Sequence, residues 1–244
     1  MTAWTLRRED AVSAADLRDR LAESPARAAQ AILAAAGAGA VEAQALLGQI
    51  LLDGHGIERD PVLALRWFSI AAGAGHLMAM NMLGRCHEHG WGCVADPAQA
   101  ARWYRACAEQ GLDWGLYNLG NLLATGRGVP RDERAAFACY QRAAELGHAK
   151  AMNLYGRYLE EGQVVPRDLA AAHDWYQQSA EAGDFRGQFS HAGVLISAGR
   201  LEEGLAWLEK ARAGGHERFR QVGAQALAQS AIPQVRALAA VWRG

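Results

Sequence analysis

Residues 77–111 read LMAMNMLGRCHEHGWGCVADPAQAARWYRACAEQG, and this stretch decides the fold because its pattern returns at 36-residue steps. Many independent positions that share one period are the signature of a repeat architecture. The positions that keep this step are Gly48, Gly84, Gly120 and Gly156; Gly54, Gly90, Gly126 and Gly162; Asp60, Asp96, Asp132 and Asp168; Phe68, Tyr104, Tyr140 and Tyr176; and Gly75, Gly111, Gly147 and Gly183.

Each unit is predicted to be a pair of helices. Apolar residues recur at helical spacing from Leu77 to His89, and Gly90 is a typical residue after a helix end. Asp96 followed by Pro97 begins a second helix, since Asp is a good N-cap and Pro suits the first helical position. Such a hairpin cannot bury its apolar face alone, so neighbours must stack. The sequence therefore predicts an all-α fold, an α-solenoid of stacked antiparallel helix hairpins.

The composition agrees with an all-α fold and argues against nucleic-acid and membrane partners. The 244 residues include 52 Ala, the best helix former, and 27 Gly. Gly84 lies in the middle of a predicted helix, where Gly costs about 1 kcal/mol relative to Ala, so its recurrence indicates close approach of two helices. Because 25 Lys and Arg balance 26 Asp and Glu, we expect no nucleic-acid partner. No apolar run is long enough for a signal peptide or a membrane span, so we expect a cytoplasmic protein without a membrane partner.

The repeated residues resemble the Sel1-like repeat, a relative of the tetratricopeptide repeat. One copy reads Leu83-Gly84, Gly90-Trp91-Gly92, Asp96, Ala100 and Trp103-Tyr104. The resemblance covers about residues 26–215. A fifth unit departs from it, because only 15 residues separate Ala192 from Trp207 and the G-x-G-V-x-x-D loop is missing.

The two ends of the chain are predicted to be caps, since terminal solenoid units meet water on one face. We expect N-terminal capping helices over residues 1–39, a solenoid of about five hairpins over 40–215 and C-terminal capping helices over 216–244. The individual capping helices are predicted near Glu9–Glu23, Pro25–Ala38, Glu217–Gln229 and Pro233–Val241.

The resemblance implies a non-enzymatic scaffold or adaptor that binds a peptide or protein segment. In tetratricopeptide arrays the first helix of each hairpin lines the concave face, and some members clamp a terminal carboxylate with Asn, Lys and Arg. Amides and guanidiniums suit a peptide backbone or an acidic group. The candidate contacts by this analogy are Met78, Asn81, Arg85, Trp114, Tyr117, Asn121, Lys150, Asn153 and Arg157. The residues of the first unit on the same face of its first helix are Glu42, Ala45, Gln49, Leu52 and Asp53. The alternative is that these side chains are solvated, or that the asparagines bridge neighbouring helices.

Two other functions stay open at this point. Cys86, His87, Glu88, His89 and Cys93 could form a metal or catalytic site, because zinc accepts His and Cys ligands. The two histidines, however, point to different sides of a helix, and no nucleophile motif is present, so we expect no enzyme, metal or cofactor. The second alternative is a structural protein that self-assembles through its terminal helices, for example around Trp242. We expect a monomer or a weak dimer.

One secreted branch of the family joins its helices with disulfides. Cys107 falls where that branch has one cysteine, and the partner position is Gly115. The resemblance therefore implies that this disulfide is absent. The four cysteines have no regular pairing, and we expect them to be reduced and mostly buried.

Overall fold

The computed structural model describes residues 24–243, and the predicted helix over Glu9–Glu23 lies outside them. The described residues form helices throughout and no strand. They are α1 (Pro25–Gly37), α2 (Val41–Asp53), α3 (Pro61–Gly73), α4 (Leu77–His89), α5 (Pro97–Glu109), α6 (Asp113–Thr125), α7 (Glu133–Glu145), α8 (Ala149–Glu161), α9 (Leu169–Glu181), α10 (Phe185–Ser197), α11 (Leu201–Gly214), α12 (Glu217–Ala228) and α13 (Pro233–Arg243).

The chain divides into two compact units, with the division between Arg131 and Asp132. In unit 1, helices α1 to α6 pack in chain order, each against the next. In unit 2, α7 to α11 pack in the same way, and α12 packs against α13. Packing of consecutive helices, without a strand anywhere in residues 24–243, confirms the predicted α-solenoid.

Helix starts and ends follow the sequence signals closely. The side chain of Asp96 accepts hydrogen bonds from the backbone N–H groups of Ala98 and Gln99, and Pro97 is the first residue of α5. Gly90 ends α4 in the left-handed region, with φ of 73°, where only Gly is unstrained. The predicted N-terminal helix at Pro25 and both predicted C-terminal helices are confirmed to within two residues.

Three histidines, each directly before a helix, are N-caps. The Nδ1 atom of His76 accepts a hydrogen bond from the N–H of Ala79 at 3.0 Å, and His216 does the same for Phe219 at 3.2 Å. His148 caps α8 in this way as well. Each His satisfies an N–H group that has no partner inside its helix.

The mid-helix glycines are required by aromatic rings that lie directly on them. A Cβ atom added to Gly84 would be 2.4 Å from the Tyr104 ring, and one added to Gly48 would be 2.7 Å from the Phe68 ring. In unit 2 the same atom at Gly156 would be 2.9 Å from the Tyr176 ring. The first and second helices of a hairpin thus touch through a ring placed on bare backbone, as the recurring glycine predicts.

The buried tyrosines are held by a second repeated contact. Tyr104 donates a hydrogen bond to Oε2 of Glu88 at 2.8 Å, and Tyr176 donates one to Oε2 of Glu160 at 2.6 Å. Burial, with these carboxylates as a further cause, raises the pKa of both tyrosines well above the usual range. The phenols therefore stay protonated and remain donors at every physiological pH.

Neighbouring hairpins make an equally close contact. A Cβ atom on Gly115 of α6 would lie 2.5 Å from Sγ of Cys107 on α5. In unit 2, Gly187 of α10 faces Ser179 of α9 in the same way, at 2.1 Å from Oγ. At Cys107 and Gly115, where the resemblance implies a disulfide in the cysteine-rich branch, the two helices here pack against each other on a bare glycine.

The end of unit 2 is closed by an aromatic cluster. The Trp242 side chain is buried, and its ring lies 5.6 Å from Phe189 and 5.7 Å from Phe219 between centroids. The interpretation of Trp242 as a contact for self-assembly is therefore wrong, because the ring is used inside its own unit. None of the described helices has the length and apolar character needed to cross a membrane.

We predict that Gly84→Ala destabilises the protein by about 1–2 kcal/mol, since overpacking against the buried Tyr104 ring outweighs the gain in helix propensity. The matched control is Gly193→Ala in the exposed middle of α10, where an added Cβ meets nothing within 4 Å. This control is expected to stabilise by about 0.5–1 kcal/mol. Urea denaturation followed by circular dichroism measures both. Equal effects of the two substitutions would contradict the ring-on-glycine contact.

We also predict that Gly115→Cys forms a disulfide with Cys107 under mild oxidation, because the new Cβ lies beside that sulfur. Titration of free thiols should show a loss of two on oxidation of this variant. The wild type and Gly193→Cys should keep all their thiols under the same conditions. Retention of every thiol in the Gly115 variant would mean that α5 and α6 pack in another register.

Candidate functional site on the first helices

The face of the first helices in unit 1 carries an apolar groove of about 390 Å³ between α2 and α4. Its accessible apolar surface comes mainly from Met78, with the half-buried Ala45 and Leu46, while Phe68 and Met82 line it from buried positions. Met78 is 39% exposed, which is unusual for a methionine and leaves its flexible side chain accessible. We call this cavity the methionine groove; its lining is Glu42, Ala45, Leu46, Gln49, Phe68, His76, Met78, Ala79 and Met82.

One end of the methionine groove is polar. Nε2 of His76 lies 3.1 Å from Oε2 of Glu42. Because Nδ1 of His76 accepts the capping hydrogen bond, Nε2 carries the hydrogen and donates it to Glu42. This pair fixes the end of the groove nearest the start of α4.

A second cavity of about 200 Å³ adjoins the groove, since Gln49 and Met82 line both. The guanidinium of Arg85 lies over the Trp91 ring, 5.0 Å from its centroid. Nε2 of Gln49 donates to Oδ2 of Asp53 at 2.7 Å on the opposite wall. We call this cavity the arginine cleft; its lining is Gln49, Leu52, Asp53, Arg59, Met82, Arg85 and Trp91.

Unit 2 has a cavity of its own, of about 360 Å³, between α8, α9 and α10. It is lined by Phe189 and Val194 together with the polar side chains of His173 and Ser190. Glu160 also lines it, but this carboxylate is already bound to the Tyr176 hydroxyl. The cavity therefore offers fewer groups for a ligand than the methionine groove and the arginine cleft.

Two of the three asparagines among the predicted contact residues, Asn81 and Asn153, are buried, so the expectation that they are exposed on this face is wrong. Asn81 is 2% exposed, and its Oδ1 accepts a hydrogen bond from Asn118 at 2.8 Å. Asn153 is 7% exposed and accepts one from Ser190 at 2.9 Å. Both bonds join first helices of adjacent hairpins, α4 to α6 and α8 to α10, which is the bridging alternative.

Met78 and Arg85, by contrast, line the two cavities of unit 1, as do the five positions named for α2. Arg157, the repeat equivalent of Arg85, is exposed and forms an ion pair with Glu161 at 3.6 Å. Trp114 packs edge-on against Tyr117, with 6.3 Å between centroids. Asn121 and Lys150 are half-buried and, like Trp114 and Tyr117, already have interaction partners.

In the cysteine and histidine cluster, Sγ of Cys93 lies 3.7 Å from Nδ1 of His87, but the surroundings of the thiols disfavour the thiolate form. Burial raises the pKa of Cys86 to about 12, and burial with the nearby Asp96 raises that of Cys93. A thiolate is the form that attacks or binds metal, so these shifts work against both roles. His89 stacks on Trp91, and among the described residues no group of three or more such side chains converges on a metal position.

Three residues of the arginine cleft were not predicted from the sequence, namely Arg59, Met82 and Trp91. Arg59 and Trp91 lie in loops between helices, whereas the predicted contacts lie on first helices. Met82 lies on a first helix, but at a position expected to face the core. A signal for Trp91 was present, because it stands between two glycines where the other repeats have His55, Arg127 and Gln163.

Comparison with known proteins agrees with this architecture. A family model for the Sel1 repeat matches residues 41–76, 77–112, 115–148, 149–184 and 201–216. The family model leaves residues 185–200 unmatched. In the structure, α10 and α11 are joined there by a short turn between Ser197 and Leu201, which confirms that the fifth hairpin lacks the G-x-G-V-x-x-D loop. No curated protein matches the chain in sequence.

Several solved bacterial structures share the fold. A Sel1 repeat protein from Oxalobacter formigenes is 25% identical, with a TM-score of 0.78 over 95% of this chain and 98% of that one. A protective antigen of uropathogenic Escherichia coli with an SLR fold is 26% identical, with a TM-score of 0.71 over 96% of this chain and 53% of that one. An immunity protein from Pseudomonas aeruginosa is similar in fold alone, at 15% identity and a TM-score of 0.54 over 83% of this chain and 80% of that one.

The 36-residue period, the ring-on-glycine hairpins and the match of the family model to most of the chain lead to one conclusion. This chain belongs to the Sel1 repeat family.

Proposed function

We propose that this protein is a non-enzymatic interaction scaffold that binds a segment of a partner protein in the methionine groove of unit 1. Sel1 repeat proteins generally act as protein-interaction scaffolds. The observation that carries the proposal is the exposed Met78 beside Met82, Leu46 and Phe68 in a groove walled by two different repeats.

The groove suits a side chain of a partner rather than a reacting small molecule. Its apolar surface gains free energy by burying an aliphatic or aromatic side chain, at about 25 cal/mol per Å² removed from water. Methionine adapts its shape to different partners, which is why it is common at peptide-binding surfaces. At the rim, Gln49 can offer its amide oxygen to an N–H of an extended backbone, since its Nε2 is the atom that donates to Asp53.

Within unit 1, Tyr117 and Asn121 of α6 supply further contacts in this proposal. Within unit 2, Lys150 and Arg157 of α8 are separate candidate contacts. All four are repeat-equivalent to groove residues, and each is at least partly exposed. Asn81 and Asn153 are left out, because their side chains join helices. We expect the partner to be recruited from the cytoplasm, with no nucleic acid, membrane or cofactor involved.

We predict that Met78→Asp lowers partner binding at least tenfold, because a carboxylate in the apolar groove would be desolvated without a counter-ion. The measurement is affinity capture from the source cells, quantified by mass spectrometry. Val94→Asp is the matched control, since Val94 is 89% exposed in a loop outside the groove. Circular dichroism checks that both variants fold. Equal recovery of the partner by the Met78 variant and the control would show that the groove does not bind it.

We further predict a monomer in solution, since the aromatic side chain of the last helix, Trp242, is buried within unit 2. Light scattering should give the monomer mass of 26.2 kDa across a hundredfold concentration range. A mass that rises to twice this value at micromolar concentration would favour the self-assembling alternative.

A further inference from the structure

We propose that the arginine cleft is a carboxylate subsite, so that the segment bound in the methionine groove carries an Asp or Glu next to its apolar anchor. This inference rests on the proposed function and names the chemistry of the partner. It follows from two guanidiniums, one aromatic ring and the position of the cleft.

Arg85 is held in the cleft without an acidic partner. Its guanidinium lies over Trp91, and its Nη1 contacts Sδ of Met82 at 3.7 Å. No carboxylate of the described residues lies within ion-pair distance of it. The neighbouring Glu88 is occupied, since it accepts the Tyr104 hydroxyl and pairs with Arg127 at 3.0 Å.

The repeat equivalent shows that this arrangement is particular to one hairpin. Arg157 is paired along its own helix with Glu161, four residues on. The residue four positions after Arg85 is His89, which stacks on the same Trp91 ring. Trp91 has no counterpart in the other loops. A cation–π contact therefore replaces the ion pair and leaves the donor groups of Arg85 available to a ligand.

Arg59 supplies a second guanidinium to the same cleft. Its Nε donates to the carbonyl oxygen of Leu52 at 2.9 Å, which fixes the side chain against the end of α2. The Nη groups have no carboxylate partner among the described residues. Because both arginines are held before binding, little side-chain entropy is lost when an anion arrives.

The charge balance of the cleft favours an anion. Two guanidiniums face one carboxylate, Asp53, and that carboxylate already accepts the Gln49 amide. Arginine binds carboxylates through parallel N–H donors, which gives specificity for Asp and Glu side chains. A basic side chain would be repelled by both arginines. The cleft therefore selects an acidic group.

The position of the cleft sets where the acidic group stands in the partner. Met82 lines both cavities, so the apolar anchor and the carboxylate are bound on either side of one methionine. An extended chain places successive side chains a few ångströms apart. The expected motif is an apolar residue followed or preceded at short spacing by Asp or Glu.

The test is selection of a phage-displayed random dodecapeptide library on four forms of the full chain: wild type, Arg59→Gln plus Arg85→Gln, Met78→Asp, and the control Arg102→Gln, whose arginine is exposed on the second helix α5. The wild type and the Arg102 control should enrich peptides with an apolar residue near Asp or Glu. The double arginine variant should keep the apolar preference and lose the acidic one. A synthetic selected peptide should bind the double variant at least tenfold more weakly, and its Asp→Asn or Glu→Gln analogue should bind the wild type equally weakly.

The outcomes separate the two proposals. Three results would overturn the carboxylate subsite alone and would still support the methionine groove. They are apolar enrichment without an acidic preference, a basic preference, and an acidic preference that survives in the double arginine variant. Failure of the wild type to enrich any motif, or an unchanged motif with Met78→Asp, would overturn the methionine groove and the subsite together. Arg85→Lys provides a milder variant if the double variant does not fold, and it should lower affinity by severalfold because lysine cannot present the same pair of donors.

Discussion

The structure depends on the contact between an aromatic ring of a second helix and the bare backbone of a mid-helix glycine, which is seen at Gly48, Gly84 and Gly156. At Gly84 there is no room for a Cβ atom, because the Tyr104 ring occupies its place. Each such glycine lowers the stability of its helix by about 1 kcal/mol, and burial of a whole aromatic ring compensates for this loss. The contact sets the separation of the two helices, and its repetition at a fixed period lets successive hairpins stack alike.

This constraint also determines which side chains remain for binding. The tyrosine on the glycine needs a hydrogen-bond acceptor, and Glu88 and Glu160 provide it. The asparagines of the first helices are used between hairpins, where they bond to Asn118 and Ser190. Positions that repeat are therefore mostly structural, and the groups open to a partner are those that one repeat has and its neighbours lack. Met78, Arg85 and Trp91 meet this description.

The sequence predicts the helices well because their signals are local. Asp96 with Pro97 starts α5, and Gly90 ends α4, without reference to any distant residue. The close helix approach at Gly84 could be inferred because an unfavourable residue recurs at every period. The burial of Asn81 could not be inferred, because it depends on a third helix, α6. No local sequence pattern gives the distance between α4 and α6. Trp91 and Arg59 were missed for a related reason, as the direction of a loop side chain is set by packing rather than by helical periodicity.

In the proposed function, the partner binds the first helices of unit 1, α2 and α4. Hydrogen–deuterium exchange of the protein with and without its captured partner is the sharpest test, because it reports every backbone amide at once. We expect slower exchange on binding at the exposed ends of α2 and α4 and in residues 90–96, with little change in α12 and α13. Protection confined to the second helices α3 and α5, or to the C-terminal helices, would contradict it.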